Sequence, residues 1–328
     1  MIRRICIDPN GLCNAKCWFC PVAYLGNSKE NKANMSIETM EDIFKQLDAG
    51  RGDFVNEQIH NTPIHYNEML LYPHLEEMFE LHRKYKITMA VYSNGVTLTR
   101  EKTDLIKKYI DVVDEIFLNV PSLNEEEWAR FTGFNKKIFP KLVDNLKYAE
   151  EQLVDLFEPH KFFLMVNGID EKTLFENGGW IEALDGAPKY ELDMQSGTLV
   201  NIVSEIKNIL PRLTIFGRNN LGDRTGVLQQ LNIISNQKAI QQRTDGKVFG
   251  CSADFDKTFY VSATGNVYVC CQDFNYETIY ANIKDKTIKE IWQGEERKQA
   301  LEKAYAGICV SCMYAVTKHN FGQKPKIW

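Results

Sequence analysis

At 328 residues, with 44% hydrophobic and 11% aromatic side chains, the chain suits one large domain, or a large and a small one, with an ample core. Its 39 basic and 44 acidic side chains leave a net charge of −5, which excludes bulk electrostatic attraction to nucleic acid. No apolar run reaches the length of a membrane span, and the opening stretch Met1 to Cys6 lacks the apolar core of a signal peptide. Nine cysteines in a chain expected in the reducing cytoplasm point to metal or catalysis rather than to disulfides.

In chain order, Ile5 to Asp8 reads as a short strand, and the loop behind it carries Cys13, Cys17 and Cys20 between Gly11 and Pro21. Thiolates are the usual ligands of iron–sulfur clusters. Three from one tight loop fill three corners of a four-iron cluster and leave one iron open. Half of a zinc site is the alternative, although zinc knuckles favour paired Cys-x-x-Cys units. From here to about residue 225, short apolar runs alternate with helical periodicity, which argues for βα units and a parallel sheet. Ser36 is placed to cap a helix running to Asp48 and ended by Gly50. Gln58 to His65 is a second strand, and Pro73 opens a helix to Lys84. Ile87 to Tyr92, Glu115 to Val120, Lys161 to Val166 and Leu213 to Gly217 are further strands. Between them lie helices over Thr99 to Ile110, up to Leu153, and from Leu199 to Ile209. An irregular insertion fills Asn167 to Thr198.

Further on, Cys251 is followed by thirteen residues, Gly265, four residues and Cys270, and Cys309 and Cys312 form a Cys-x-x-Cys 39 positions later. Val261 to Val269 reads as a β-hairpin that sets Cys251 and Cys270 on one side of a small lobe. A helix from Gly294 to about Ala306 leads to Cys309. Read alone, four cysteines make an acceptable zinc site as well as a cluster site. Cys271 competes with Cys270 as the ligand, and Cys6 reads as a buried apolar residue.

The run Cys-x-x-x-Cys-x-aromatic-Cys behind a first strand, with Phe19 as the aromatic, resembles the signature of the radical S-adenosylmethionine (SAM) superfamily. The resemblance implies a [4Fe–4S] cluster whose open iron chelates SAM, and reductive cleavage of SAM to a 5′-deoxyadenosyl radical that abstracts a substrate hydrogen. It also implies an α/β fold: a partial (β/α)6 TIM-like barrel over residues 1–226, with ligands at the C-terminal ends of its strands. A linker over 227–245 and a small α+β domain with a β-hairpin over 246–328 complete the expected organisation.

Relatives carry Gly-Gly-Glu-Pro after the second strand. Here Tyr66, Asn67 and Glu68 stand in that place, which assigns Glu68 to the SAM amino group. Ser93 and Asn94 resemble the Thr-Asn-Gly turn beside the methionine part of SAM, and Ser122 and Arg130 take the ribose and carboxylate positions. The plainer readings are that Glu68 begins the next helix, Ser122 starts another, and Arg130 is a solvated side chain. Arg218, Asp223 and Arg224 sit in a polar segment that in relatives covers the active site, or in a surface loop.

The C-terminal cysteines resemble the auxiliary-cluster extensions called SPASM and twitch, which begin Cys-x(9–15)-Gly-x4-Cys. With no cysteine beyond Cys312, the count matches twitch: one auxiliary [4Fe–4S] cluster on Cys251, Cys270, Cys309 and Cys312. A fully ligated cluster suits an electron acceptor. The resemblance therefore implies an oxidoreductase that dehydrogenates a small polar metabolite held by Arg218, Asp223 or Arg224 and takes electrons from a flavodoxin- or ferredoxin-type donor. A peptide-modifying maturase competes, although a cysteine loop at residue 13 leaves no room for an N-terminal peptide-recognition domain. An epimerase or lyase using Cys271 as hydrogen donor and a zinc-bound interaction protein are the other rivals. The expected protein is cytoplasmic, with neither nucleic acid nor membrane as partner.

Overall fold

The computed structural model describes residues 1–17, 20–27, 32–158, 161–167, 180–182, 205–218, 227, 247–312 and 314–318, and only the backbone of 167, 180–182 and 216–218. Six strands run parallel in chain order: β1 (Ile2–Ile7), β2 (Val55–Asn61), β3 (Thr88–Ser93), β4 (Val113–Asn119), β5 (Phe162–Asn167) and, after β6 (Trp180–Glu182), β7 (Thr214–Arg218). β6 comes from the insertion expected to be irregular and pairs parallel with β7 at the sheet edge. The second strand stops at Asn61 rather than at His65. Pro63 follows, and a residue without an N–H cannot continue the ladder.

The opposite edge of the sheet is closed by the C-terminal segment. β8 (Gly250–Cys251) pairs with β12 (Ala315–Val316), while β9 (Thr258–Val261) lies parallel to β1, with Cys6 opposite Tyr260 and Ile7 opposite Val261. β10 (Asn266–Tyr268) and β11 (Ala281–Asn282) extend the sheet antiparallel, giving ten strands in one sheet among the described residues. The expected hairpin is present, and its strands continue the barrel sheet. Gly265 turns it at φ +88°, and a Cβ there would lie 2.9 Å from Ile283 Cγ1, so both backbone and space require glycine.

Strands buried on both faces sort their side chains by alternation. Ile5, Ile7, Met89, Val91, Ile116, Leu118, Phe162, Leu164, Phe259 and Val261 share the outer core with the helices. Each fully buried side chain of this kind is worth about 1.5–3 kcal/mol. The alternate residues pack separately as two inner clusters: Cys6, Tyr260, Tyr268 and Tyr276 in one, and Phe117 and Phe163 with Tyr92 and Met165 in the other.

The helices that cover the sheet begin with α1 (Val22–Leu25), α2 (Ile37–Ala49), α3 (Leu75–Lys84), α4 (Arg100–Lys108), α5 (Glu125–Thr132) and α6 (Phe139–Leu153). Ser36 caps α2 as its sequence position suggests, its hydroxyl accepting from the Thr39 N–H at 3.2 Å. A helical segment over 205–209 precedes β7, and α7 (Ile288–Gln293) and α8 (Glu295–Ala306) follow β11. Ile288 and Ile291 of α7 lie in the barrel core, and the Ile288 N–H donates to Gln46 Oε1 of α2 at 2.8 Å. One core thus serves both segments. Among the described residues no helix is long and apolar enough to cross a membrane.

Candidate functional site

Cys13, Cys17 and Cys20 lie in the loop leaving the C-terminal end of β1, and asparagine side chains knit that loop to its neighbours. The Glu68 N–H donates to the Leu12 carbonyl at 2.7 Å, Asn10 Nδ2 to the Glu68 carbonyl at 3.2 Å, and Asn67 Nδ2 to the Asn10 carbonyl at 3.0 Å. Asn94 Nδ2 reaches Asn14 Oδ1 at 2.8 Å, tying the turn after β3 to the cysteine loop. The loop also abuts the end of α5, where Lys16 N–H donates to the Thr132 carbonyl at 2.8 Å. There Gly133 adopts φ +70°, and a Cβ on it would sit 2.9 Å from both Lys16 Cβ and the Lys16 oxygen. Only glycine lets α5 end this close to the cysteines.

Cys20 lies close enough to Cys13 and Cys17 to raise the pKa of both. Burial, with Glu68 and Cys20 adding to it, pushes Cys13 up to about 12, while the Ala15 and Asn14 amides oppose the shift. Burial and the other two thiols push Cys17 up as well. Such a set releases protons on loading, because thiolates are what bind iron. Three cysteines from one loop fit a cluster with one open corner.

Glu68 is a buried bracket. Its Oε2 accepts from the Asn94 N–H and its Oε1 from Thr97 Oγ1, each at 2.8 Å. Burial raises its pKa, and the Asn94 amide is the main opposing influence. A carboxylate offers about four lone-pair sites, so it retains capacity for an ammonium group. Ser93 Oγ accepts from the Gly95 N–H at 3.1 Å and lies 3.3 Å from Thr97 Oγ1. Tyr66 bridges the two cysteine sets. It packs with Val22 and Cys20, meets Phe274 edge-on at 4.8 Å, and donates to the Gln272 carbonyl at 3.2 Å.

Of the residues expected near SAM, Tyr66, Asn67, Glu68, Ser93 and Asn94 come together around the cysteine loop. Ser122 is buried at the start of α5, donating to Glu127 Oε2 at 3.1 Å and accepting from the Asn124 N–H at 3.0 Å. Arg130 is exposed, its guanidinium 4.8 Å over the Phe131 ring. Arg218 ends β7, with only its backbone described, while Phe19, Asp223 and Arg224 lie outside the described residues.

Two groups escaped the reading of the sequence. Asn119 is the last residue of β4, and its buried Oδ1 has no hydrogen-bond partner among the described residues. It shares a strand face with Phe117, whose ring stacks between Tyr92 at 4.7 Å and Phe163 at 5.0 Å. The second group surrounds Asp8, one residue past β1. Its Oδ2 accepts from Tyr268 at 2.9 Å and from Tyr276 at 3.4 Å, and Tyr276 also lies 2.9 Å from His65 Nδ1. Burial drives the Asp8 carboxyl up to about 8 despite these hydrogen bonds.

Cys251, Cys270, Cys309 and Cys312 line one cavity in the C-terminal segment, together with Phe255, Asp256 and Tyr305. Burial and the nearby Asp256 push Cys251 up to about 11, against the amides of Phe255, Ala253 and Asp256. The Gln272 N–H donates to Cys270 Sγ at 3.4 Å. Four thiols around one cavity, met by backbone N–H groups, fit a closed four-cysteine cluster. Cys271 packs against the Cys6–Tyr260–Tyr268 cluster. Among the described residues, no three His, Cys, Asp or Glu side chains gather as a single metal ion would need.

The model of the radical SAM superfamily matches residues 7–172, just over half of the chain, and that of an iron-sulfur cluster-binding domain matches residues 251–313. The second match sets aside the zinc reading of the C-terminal cysteines. No curated protein sequence matches the chain. A crystal structure of BtrN in complex with AdoMet and 2-DOIA is similar at 15% identity and a TM-score of 0.55, covering 97% of this chain and 94% of that one. Streptococcus suis SuiB bound to S-adenosylmethionine is similar at 13% identity and a TM-score of 0.56, covering 92% of this chain and 68% of that one. Native anSMEcpe with bound AdoMet is similar at 16% identity and a TM-score of 0.54, covering 90% and 82%. At these identities the structural likeness speaks for the fold. The cysteine loop, the parallel barrel and the family model agree: the chain belongs to the radical SAM superfamily, as a SAM- and [4Fe–4S]-dependent enzyme with a C-terminal iron–sulfur cluster-binding domain.

Proposed function

We propose that the protein oxidises a small polar metabolite, removing a hydrogen atom and then an electron and a proton, with the auxiliary cluster accepting that electron. The observation that carries this reading is the cavity shared by Cys251, Cys270, Cys309 and Cys312, whose four thiols leave no ligand position for substrate. When bound at Cys13, Cys17 and Cys20, the cluster and SAM together supply the radical that removes the hydrogen atom. The chain's own residues place the reactants. Glu68 keeps lone pairs for the SAM amino group, while Ser93, Asn94, Tyr66 and Asn67 hold the loops around it. Asn119 and the Tyr92–Phe117–Phe163 stack form a polar-tipped apolar wall inside the barrel. Arg218, Asp223 and Arg224 are the proposed substrate contacts, with Ser122 and Arg130 kept as further proposed SAM contacts. A flavodoxin- or ferredoxin-type donor is the proposed electron source.

The BtrN structure, nearly the same length as this chain, carries 2-DOIA beside AdoMet, which favours a small molecule. SuiB has been solved with its precursor peptide SuiA, which makes a peptide the rival substrate. The test is turnover in deuterated water with aminocyclitols and with peptides. We predict an aminocyclitol product lighter by a pair of hydrogens and carrying no solvent deuterium. A product of unchanged composition that carries deuterium would mean epimerisation and contradict the proposal.

A further inference from the structure

Asp256 lines the auxiliary cavity beside four cysteines. It sits in the 3₁₀ turn Phe255–Lys257, entered through Asp254 in the left-handed conformation at φ +54°. Its backbone is held in place. The Asp256 carbonyl accepts from Arg297 Nη2 at 2.8 Å, and that guanidinium is fixed 3.8 Å over the Trp292 ring. The side chain divides its two oxygens. Oδ2 accepts from the Tyr305 hydroxyl at 2.5 Å, while Oδ1 is buried with no hydrogen-bond partner among the described residues. Leaving a buried carboxylate oxygen unsatisfied is unfavourable, so a position that keeps one against a metal cavity calls for an explanation. The carboxylate lines the same cavity as Cys251 and Cys309. Burial and Asp256 itself push the Tyr305 hydroxyl up, so it remains the donor of the pair.

We infer that the Asp256–Tyr305 pair sets the reduction potential of the auxiliary cluster: the carboxylate lowers it, and the tyrosine limits how far. A cluster on four thiolates is anionic, and net charge and hydrogen bonding are among the levers that set its potential. A further negative charge beside the four cysteines disfavours the extra electron. The Tyr305 hydroxyl withdraws part of that charge through its hydrogen bond. Asp256 is therefore a positioning and tuning residue for electron transfer. The inference rests on the auxiliary cluster alone and holds whether the substrate is a metabolite or a peptide.

The experiment is an anaerobic redox titration of the full holoprotein, followed by electron paramagnetic resonance, reading the cluster signal that added SAM leaves unperturbed. For Asp256→Asn the expected result is unchanged iron and a potential raised by at least a tenfold shift in the reduction equilibrium, about 59 mV for a one-electron couple. For Tyr305→Phe the expected result is unchanged iron and a smaller shift in the opposite direction. An Asp256→Asn variant at the wild-type potential, or one that loses the auxiliary iron, would overturn the inference. If Asp256→Asn fails to fold, Tyr305→Phe decides alone: a lowered potential supports the pair, and an unchanged one refutes it.

Discussion

Replacing Asp8 by Asn is expected to remove a stability loss that the wild-type apoprotein suffers as the pH rises from neutral to mildly alkaline. Burial is the main cause of the shift that carries the Asp8 carboxyl from 3.8 to about 8. Tyr268, Tyr276 and Cys6 pull it back down, and Cys271 pushes it further up. His65, 3.9 Å from Asp8, faces the same carboxyl. The sign follows from proton binding. Between the two values the folded protein holds a proton that the unfolded chain has lost, so stability falls as pH rises towards 8, by about 1.4 kcal/mol per pH unit. From pH 6.5 to 8 that amounts to about 2 kcal/mol. The buried His82, lowered by burial to about 4, weakens the fold as pH falls below its unfolded value of 6.5, so its effect runs the other way. Asn keeps an oxygen for Tyr268 and Tyr276 and cannot ionise. Urea denaturation at pH 6.5 and pH 8 should show the wild type losing stability and Asp8→Asn holding level. Parallel losses in both proteins would sink this account of Asp8.

How much of this was legible in the sequence differs from one element to the next. The cysteine loop, the caps at Ser36 and Gly50, and the Gly265 turn are local, and spacing alone revealed them. The Asp8 group was not legible, because Asp8 meets Tyr268 and Tyr276 across 260 and 268 positions. Nothing near Asp8 announces that β9 will lie against β1 and bring those tyrosines inward. The same pairing joins the hairpin strands to the barrel sheet, which a hairpin pattern alone does not reveal. Ser122 shows the reverse case. Its place in a family motif suggests a ligand contact, and the hydrogen-bond partners the fold gives it, Asn124 and Glu127, lie two and five residues on. Asn119 ends a strand like any polar residue would, and its significance comes from a buried oxygen with no partner among the described residues.

The second large effect is on iron. Cys13/Cys17/Cys20→Ala should reduce the iron of the anaerobically reconstituted protein from about eight to about four per chain, with sulfide falling in proportion. The two cysteine sets line separate places: one in the loop behind β1, the other in the cavity beneath α8 and the Cys309 turn. Tyr66 touches both neighbourhoods, but it contributes packing and one hydrogen bond to a backbone carbonyl rather than a metal ligand. Emptying the first site should leave the second intact. Loss of all iron in the variant would mean that the auxiliary site depends on the N-terminal one, and the two-site description would fail.

The measurement that tests the central claim most directly is formation of 5′-deoxyadenosine from SAM by the reconstituted, chemically reduced protein. Wild type should release it only when reductant is present, and Cys13/Cys17/Cys20→Ala should release none above background. No 5′-deoxyadenosine from a wild type holding its full iron, or equal amounts from the variant, would contradict radical chemistry at Cys13, Cys17 and Cys20.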